Sequence, residues 1–169
     1  KRMKDELKKY YLPLLLESEN FEAAYTAAWN DKMVSDTIAS YFKSVYGVNG
    51  GISPREAFKA LYIEILQPYT LNLTLHKKAF EVMVTGEKKE EFRTPSHWLM
   101  SRLWNENNGP RLYKLVKFVN GYGAHRPAFI SEFVGLTCCF EKYGYCFSKT
   151  WSNGLKVRKI NTDDLYIIE

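Results

Sequence analysis

Apolar positions along the first seventy residues recur at a three-to-four-residue spacing, in Leu7, Tyr10, Tyr11, Leu14 and Leu15 and again in Phe21, Ala24, Tyr25, Ala28 and Trp29. That period places them on one face of a helix. Pro13 is expected to end or kink the first helix, because its ring removes a donor and crowds the preceding turn. A further helix is expected through Val34, Ile38, Tyr41, Phe42 and Val45, capped by Asp31 or Ser35 and stopped by Gly47, Gly50 and Gly51. The clearest start signal is Ser53-Pro54-Arg55-Glu56, with a capping serine, proline at the first helical position and glutamate at the third. This helix is expected to reach Leu66 and to end at Pro68.

After Pro68 the pattern changes to short alternating or β-branched runs. Strands are expected over residues 71–75, 113–119, 129–137, 143–147, 155–160 and 165–168, with helices over 76–84 and 96–104. Many short strands and few helices within about 100 residues describe a small barrel or sandwich rather than a parallel sheet, which needs long connections. The fold class expected is α+β: a small mixed β-barrel with flanking helices over 71–169, preceded by an all-helical N-terminal part over 1–68.

Composition bounds what the chain can be. At 169 residues, 46% hydrophobic and 15% aromatic, it has ample material for a buried core. Its longest apolar runs are broken by Pro13, Lys43 and Gln67, and no secretory signal opens it, so a cytoplasmic protein with no membrane association is expected. Cys138, Cys139 and Cys146 are an odd number without metal-binding spacing, and read as reduced core thiols. His76, His97 and His125 likewise lack ligand spacing, so no metal is expected. Trp98 and Trp104, near Leu99 and Leu103, read as packing residues.

Charge is unevenly spread. Residues 1–70 carry 9 Lys+Arg against 9 Asp+Glu, whereas 71–169 carry 15 against 10, so the whole excess of +5 lies in the second part. A partner bearing phosphates would bind there. The pairs Lys77-Lys78 and Arg158-Lys159 read as solvated, and either is able to flank a nucleic-acid path.

The segment from Leu71 to Arg93 reads strand, helix, glycine turn, strand. Gly86 falls where a helix end needs a residue at positive φ. Continuous strand alternation after it would put Lys88, Glu90 and Phe92 on one face and Lys89, Glu91 and Arg93 on the other, so that Glu91 and Arg93 hold each other. The pattern G-x-K-x-x-E-x-R, as Gly86, Lys88, Glu91 and Arg93, resembles the signature of the ASCH domain family. The run Lys117 to Gly123 (K-F-V-N-G-Y-G) and the ending L-Y-I-I-E resemble barrel strands of that family.

The resemblance implies a PUA-like barrel with a helix-lined cleft and a role in RNA or nucleotide metabolism, without a cofactor. It covers the last hundred residues and none of the helical part. On this reading Lys88, Arg93, Lys117, Asn120, Tyr122, His125 and Arg126 form a nucleic-acid-binding set, with Tyr122 as a stacking surface and the basic side chains as phosphate donors. The turn Asn120-Gly121-Tyr122-Gly123 also reads simply as a strand connection, and the Lys88, Glu91, Arg93 trio as a structural ion pair closing the barrel.

The resemblance also implies an enzymatic alternative in the same cleft, a metal-independent ribonuclease or a hydrolase of a modified nucleobase, with Lys88 as catalytic cation and Glu91 as acid or base. In the family members that deacetylate N4-acetylcytidine, a threonine stands three positions after the motif lysine. Here that position is Glu91, and a pairing glutamate would keep Lys88 protonated. A third reading is a protein-interaction module through the helical part, whose aromatic side chains include Tyr10, Tyr25 and Trp29.

Overall fold

The computed structural model describes residues 2–30, 40, 53–106, 109–144, 146–159 and 166–168. The chain divides into two compact units, Lys1–Tyr69 and Thr70–Glu169.

The first unit is helical: α1 (Arg2–Glu17), α2 (Phe21–Asn30) and α3 (Pro54–Ile65), followed by a 3-10 turn over Gln67–Tyr69. Pro13 does not end α1, which runs through it. Leu7, Tyr11 and Leu15 lie one turn apart on its buried face, and the packing of that face outweighs the single lost donor. The expected helix over 34–45 lies outside the described residues. At Ser53 the capping box forms: the Ser53 hydroxyl accepts from the Glu56 N–H at 3.2 Å, and the Ser53 N–H donates back to the Glu56 carboxylate at 3.3 Å. The core is aromatic. Phe58 meets Tyr11 edge-on at 6.1 Å, and Phe21 lies 5.8 Å from Phe58 and 5.3 Å from Tyr62, ring to ring.

The second unit mixes helix and strand. Strand β1 (Thr70–Leu75) leads into α4 (Lys77–Val84), β2 (Glu91–Arg93) and α5 (His97–Leu103). A small hairpin, β3 (Trp104–Asn105) with β4 (Gly109–Pro110), precedes β5 (Leu115–Asn120), β6 (Ala128–Glu132) and β7 (Leu136–Cys138). Then come α6 (Cys139–Tyr143), β8 (Phe147–Thr150), β9 (Lys156–Lys159) and β10 (Tyr166–Ile168). Among the described residues the strands form small open sheets, ordered β1-β5-β6 and β2-β10-β7, plus the hairpins β3-β4 and β8-β9; the closure of a barrel is not seen.

Three details depart from the sequence reading. First, the long connections taken to be missing are made in another way: β1 and β5 pair in parallel from Thr70↔Leu115 to Leu75↔Asn120, within a mixed sheet. The crossover that parallel strands require is built from two short helices, α4 and α5, in place of one long one. Second, the strand expected over 129–137 is two strands separated by residues 133–135, where the Phe133 N–H turns to the Lys114 carbonyl at 2.9 Å. Third, the strand expected over 143–147 is the end of α6 and the start of β8, divided by Gly144 at φ 82°.

Alternation along β1 buries Leu71, Leu73 and Leu75 and exposes Asn72. They join Ala79, Phe80 and Met83 of α4, Leu99 and Leu103 of α5, Val116 and Phe118 of β5, and Ile168 of β10 in one core. Trp98 is half exposed, with the Arg102 guanidinium 5.1 Å from its ring, so of the two tryptophans near α5 only Trp104 packs on this core. Of the cysteines, Cys139 is buried, Cys138 intermediate and Cys146 exposed, which corrects the expectation of three core thiols.

Candidate functional site

A cleft of about 420 Å³ opens between the end of β1, the start of α4, β2 and the turn after β5. Its position follows from local chemistry. β1 ends at Leu75, and the Leu75 carbonyl accepts the Gly121 N–H at 3.0 Å, which draws the β5 turn across the start of α4. Glycine is favoured at position 121 by its positive φ. Its φ is +78°, and an added Cβ would stand 2.6 Å from the Arg126 guanidinium. Arg126 in turn donates through Nε to the Asn120 carbonyl at 2.9 Å, pinning the loop that carries Tyr122.

Beneath this loop lies a chain of ion pairs. Glu91 Oε2 accepts from Lys88 Nζ at 2.5 Å, and Glu91 Oε1 accepts from Arg93 Nε at 2.9 Å. Arg93 Nη2 reaches across to the Thr74 carbonyl of β1 at 2.6 Å. Glu91 and Arg93 share a face of β2, as alternation required. Lys88 does not follow the alternation. Residues 88–90 are not strand, the Lys88 N–H bonds the Val82 carbonyl at 2.9 Å, and its side chain folds back onto Glu91 and onto the Glu90 carbonyl at 2.6 Å. Lys88 is 5% exposed and Glu91 7%. The ammonium sits over the rings of Phe92 at 5.8 Å and Trp151 at 5.4 Å. Burial pushes the Lys88 ammonium below its ordinary pKa, against the opposing pull of the Glu91 carboxylate.

Two further carboxylates tie the segment before β2 to later parts of the chain. Glu90 accepts from the Tyr143 hydroxyl at 2.7 Å and from the Lys142 ammonium. Burial raises its carboxyl, but the two donors together outweigh that effect and leave it below the ordinary range. Glu87 accepts from the Ser152 hydroxyl at 2.6 Å and the Ser152 N–H at 2.7 Å, and these bonds hold its carboxyl low.

Of the residues expected to bind nucleic acid, Arg93, Asn120, Tyr122 and Arg126 line the cleft together with Glu91. Lys88, Lys117 and His125 do not. Lys88 lines a second, more apolar cavity of about 350 Å³ with Met83, Phe118 and Phe129. Lys117 stands on β5 opposite Ile130, and His125 is exposed in the loop at φ 57°. The cleft also recruits Thr74, His76, Lys77 and Thr94. Lys77 was read as a solvated charge, and its side chain is 81% exposed. The signal that points to it is its place at a strand-to-helix junction beside the motif.

Two of the five Arg93 donors are committed to Glu91 and Thr74, which leaves three for a ligand. Tyr122 is 87% exposed, so its ring is open for stacking. Among the described residues no cluster of three or more His, Cys, Asp or Glu is placed to ligate a metal, and no helix is long and apolar enough to cross a membrane. Comparison of the chain with family models, with curated proteins and with solved structures finds no match.

Proposed function

We propose that the second unit is an ASCH-type, PUA-like domain whose cleft binds RNA or a nucleotide. One observation carries this reading: a rigidly held arginine with uncommitted donors, Arg93, faces the same 420 Å³ space as an exposed aromatic ring, Tyr122. That volume lies within the range of small-ligand sites. An exposed ring beside fixed cationic donors is the combination that unstacked bases and their phosphates use. The motif Gly86, Lys88, Glu91, Arg93 and the basic balance of this unit support the same reading.

Within it, Lys88 is a positioning residue. Its ammonium is bonded to Glu91 and to a carbonyl and does not line the cleft, so binding is favoured over catalysis by Lys88. Glu91 fixes Arg93 through its Nε, and Arg93 meets the ligand.

The test is binding of a labelled single-stranded RNA pool to the wild-type chain, to Arg93→Ala and to Tyr122→Ala, with RNA length followed in the same samples. Each substitution is expected to weaken binding about tenfold, the loss of one charge-assisted contact or one stacked base. Unchanged affinity in both variants overturns the reading. Shortened RNA with the wild type alone would replace it with a ribonuclease.

A further inference from the structure

The hairpin formed by β8 and β9 has two chemically distinct faces. Directly opposed residues share a face, and the register is Phe147↔Lys159, Ser148↔Arg158, Lys149↔Val157 and Thr150↔Lys156. Phe147 and Val157 are therefore on the inner face, where Phe147 stacks on Tyr143 at 4.2 Å and on Phe92 at 5.3 Å. The outer face is Ser148, Thr150, Lys156 and Arg158, all exposed. It carries two hydroxyls on one strand, two cations on the other, and neither an acid nor an apolar side chain.

Residues 146–160 hold four cations, Lys149, Lys156, Arg158 and Lys159, and no acid. By the same register two of the four, Lys156 and Arg158, belong to the outer face. Neither Lys156 nor Arg158 has an acidic partner among the described residues. The hairpin is also held in place: its turn closes through Trp151 N–H to Leu155 carbonyl at 2.9 Å, Asn153 donates to the Lys78 carbonyl at 2.8 Å, and Ser152 is bound by Glu87.

We infer that the outer face of this hairpin takes neighbouring phosphates of a nucleic-acid strand, so that the ligand of the second unit is a polynucleotide and not a free nucleotide. Lys156 and Arg158 are two residues apart on one strand, roughly 6.7 Å, a spacing suited to successive phosphates of an extended chain. Ser148 and Thr150 lie across from them as hydroxyl donors to the same oxygens. Side chains of this kind fix a backbone without reading its sequence. An anionic membrane fits less well, because the face has no apolar side chain to insert. The inference rests on the nucleotide reading of the cleft and adds the strand that continues beyond it.

The experiment compares the full chain with Lys156→Ala/Arg158→Ala, with Arg93→Ala, with Tyr122→Ala, and with Lys9→Ala/Lys59→Ala, which removes the same charge from the other unit. Each is titrated with labelled polyuridylate over a range of salt and with uridine monophosphate, and thermal unfolding confirms the fold. The hairpin variant is expected to bind polyuridylate about tenfold more weakly. Its slope of log affinity against log salt should be shallower by roughly 1.4, at about 0.7 per phosphate on a single strand, with monophosphate binding unchanged.

An unaltered slope and affinity in the hairpin variant overturn the inference, and so does an equal loss in the Lys9, Lys59 control, which would reduce it to net charge. Polyaspartate or phosphatidylserine vesicles bound as tightly as polyuridylate would overturn it as well. If Arg93→Ala and Tyr122→Ala both leave all binding intact while the hairpin variant loses polyuridylate, the cleft reading fails and the hairpin stands.

Discussion

Two glutamates, one in each unit, make the same kind of contact in opposite surroundings. In the helical unit, Glu22 of α2 pairs with Arg55 of α3, at 2.8 Å through Nη1 and through Nη2 as well, with side chains 62% and 50% exposed. The Arg55 hydrogen bonds lower the Glu22 pKa, and the guanidinium rests 5.1 Å from the Phe21 ring. In the second unit, Glu91 bridges Lys88 and Arg93 with side chains only 9%, 4% and 25% exposed. Water can replace the first contact at once. It reaches the Lys88–Glu91 contact far less, so each member of that chain depends on the others. The difference separates a contact that decorates a helix pair from one that builds a site.

The largest effect that can test this contrast is Glu91→Ala. It leaves the buried Lys88 ammonium unpaired and should cost about 3–5 kcal/mol in denaturant unfolding. In a cycle with Lys88→Met, the double variant should recover part of that loss, because the uncompensated charge is gone. Additive losses would show that the two side chains do not communicate.

Next in size is Glu90→Gln, which weakens the bonds from Tyr143 and Lys142. About 1–2 kcal/mol is expected, the exposed lysine reducing the figure. The pH dependence has a definite sign. Glu90 has a folded pKa below 4.5, so its contribution is complete above that value and disappears as pH falls through the lowered one. Acid unfolding of Glu90→Gln should lack this component.

Lys88 gives a slope of the same sign on the alkaline side. Its pKa in the folded chain lies below the ordinary 10.5, so the folded form releases this proton first. Stability should therefore rise with pH from the lowered value up to about 10.5, and Lys88→Met should flatten that rise. The smallest effect belongs to the exposed pair: Glu22→Gln should leave the unfolding midpoint unchanged within error, at low salt and at high.

What could be read from the chain is what neighbouring residues decide. The capping box at Ser53, the positive φ at Gly86 (+80°) and the Glu91 to Arg93 pair each depend on residues two or three positions apart, and each formed. The face of Lys88 was misassigned because a strand was extended back to it, when the Val82 carbonyl captures its backbone instead. Partners far away in sequence left no local trace. Tyr143 and Lys142 reach Glu90 across about fifty residues, and Trp151 lies under Lys88 from the β8–β9 turn. That α1 continues past Pro13 has the same cause, since its buried face packs on residues far away in sequence, as Tyr11 does on Phe58.

The order of strands in the second sheet has a consequence for synthesis. β10 lies between β2 and β7, with Ile168 opposite both Glu91 and Leu136. A nascent chain can form α3, and even dock α4 on β1, long before this central strand leaves the ribosome. Until residues 166–168 emerge, β2 has no neighbour, and Glu91 and Arg93 sit on an unpaired edge. The sheet that carries Glu91 and Arg93 is therefore completed only after residues 166–168 have emerged, and a premature stop before Tyr166 would release a polypeptide with its helical unit encoded in full but β2 without its sheet partner.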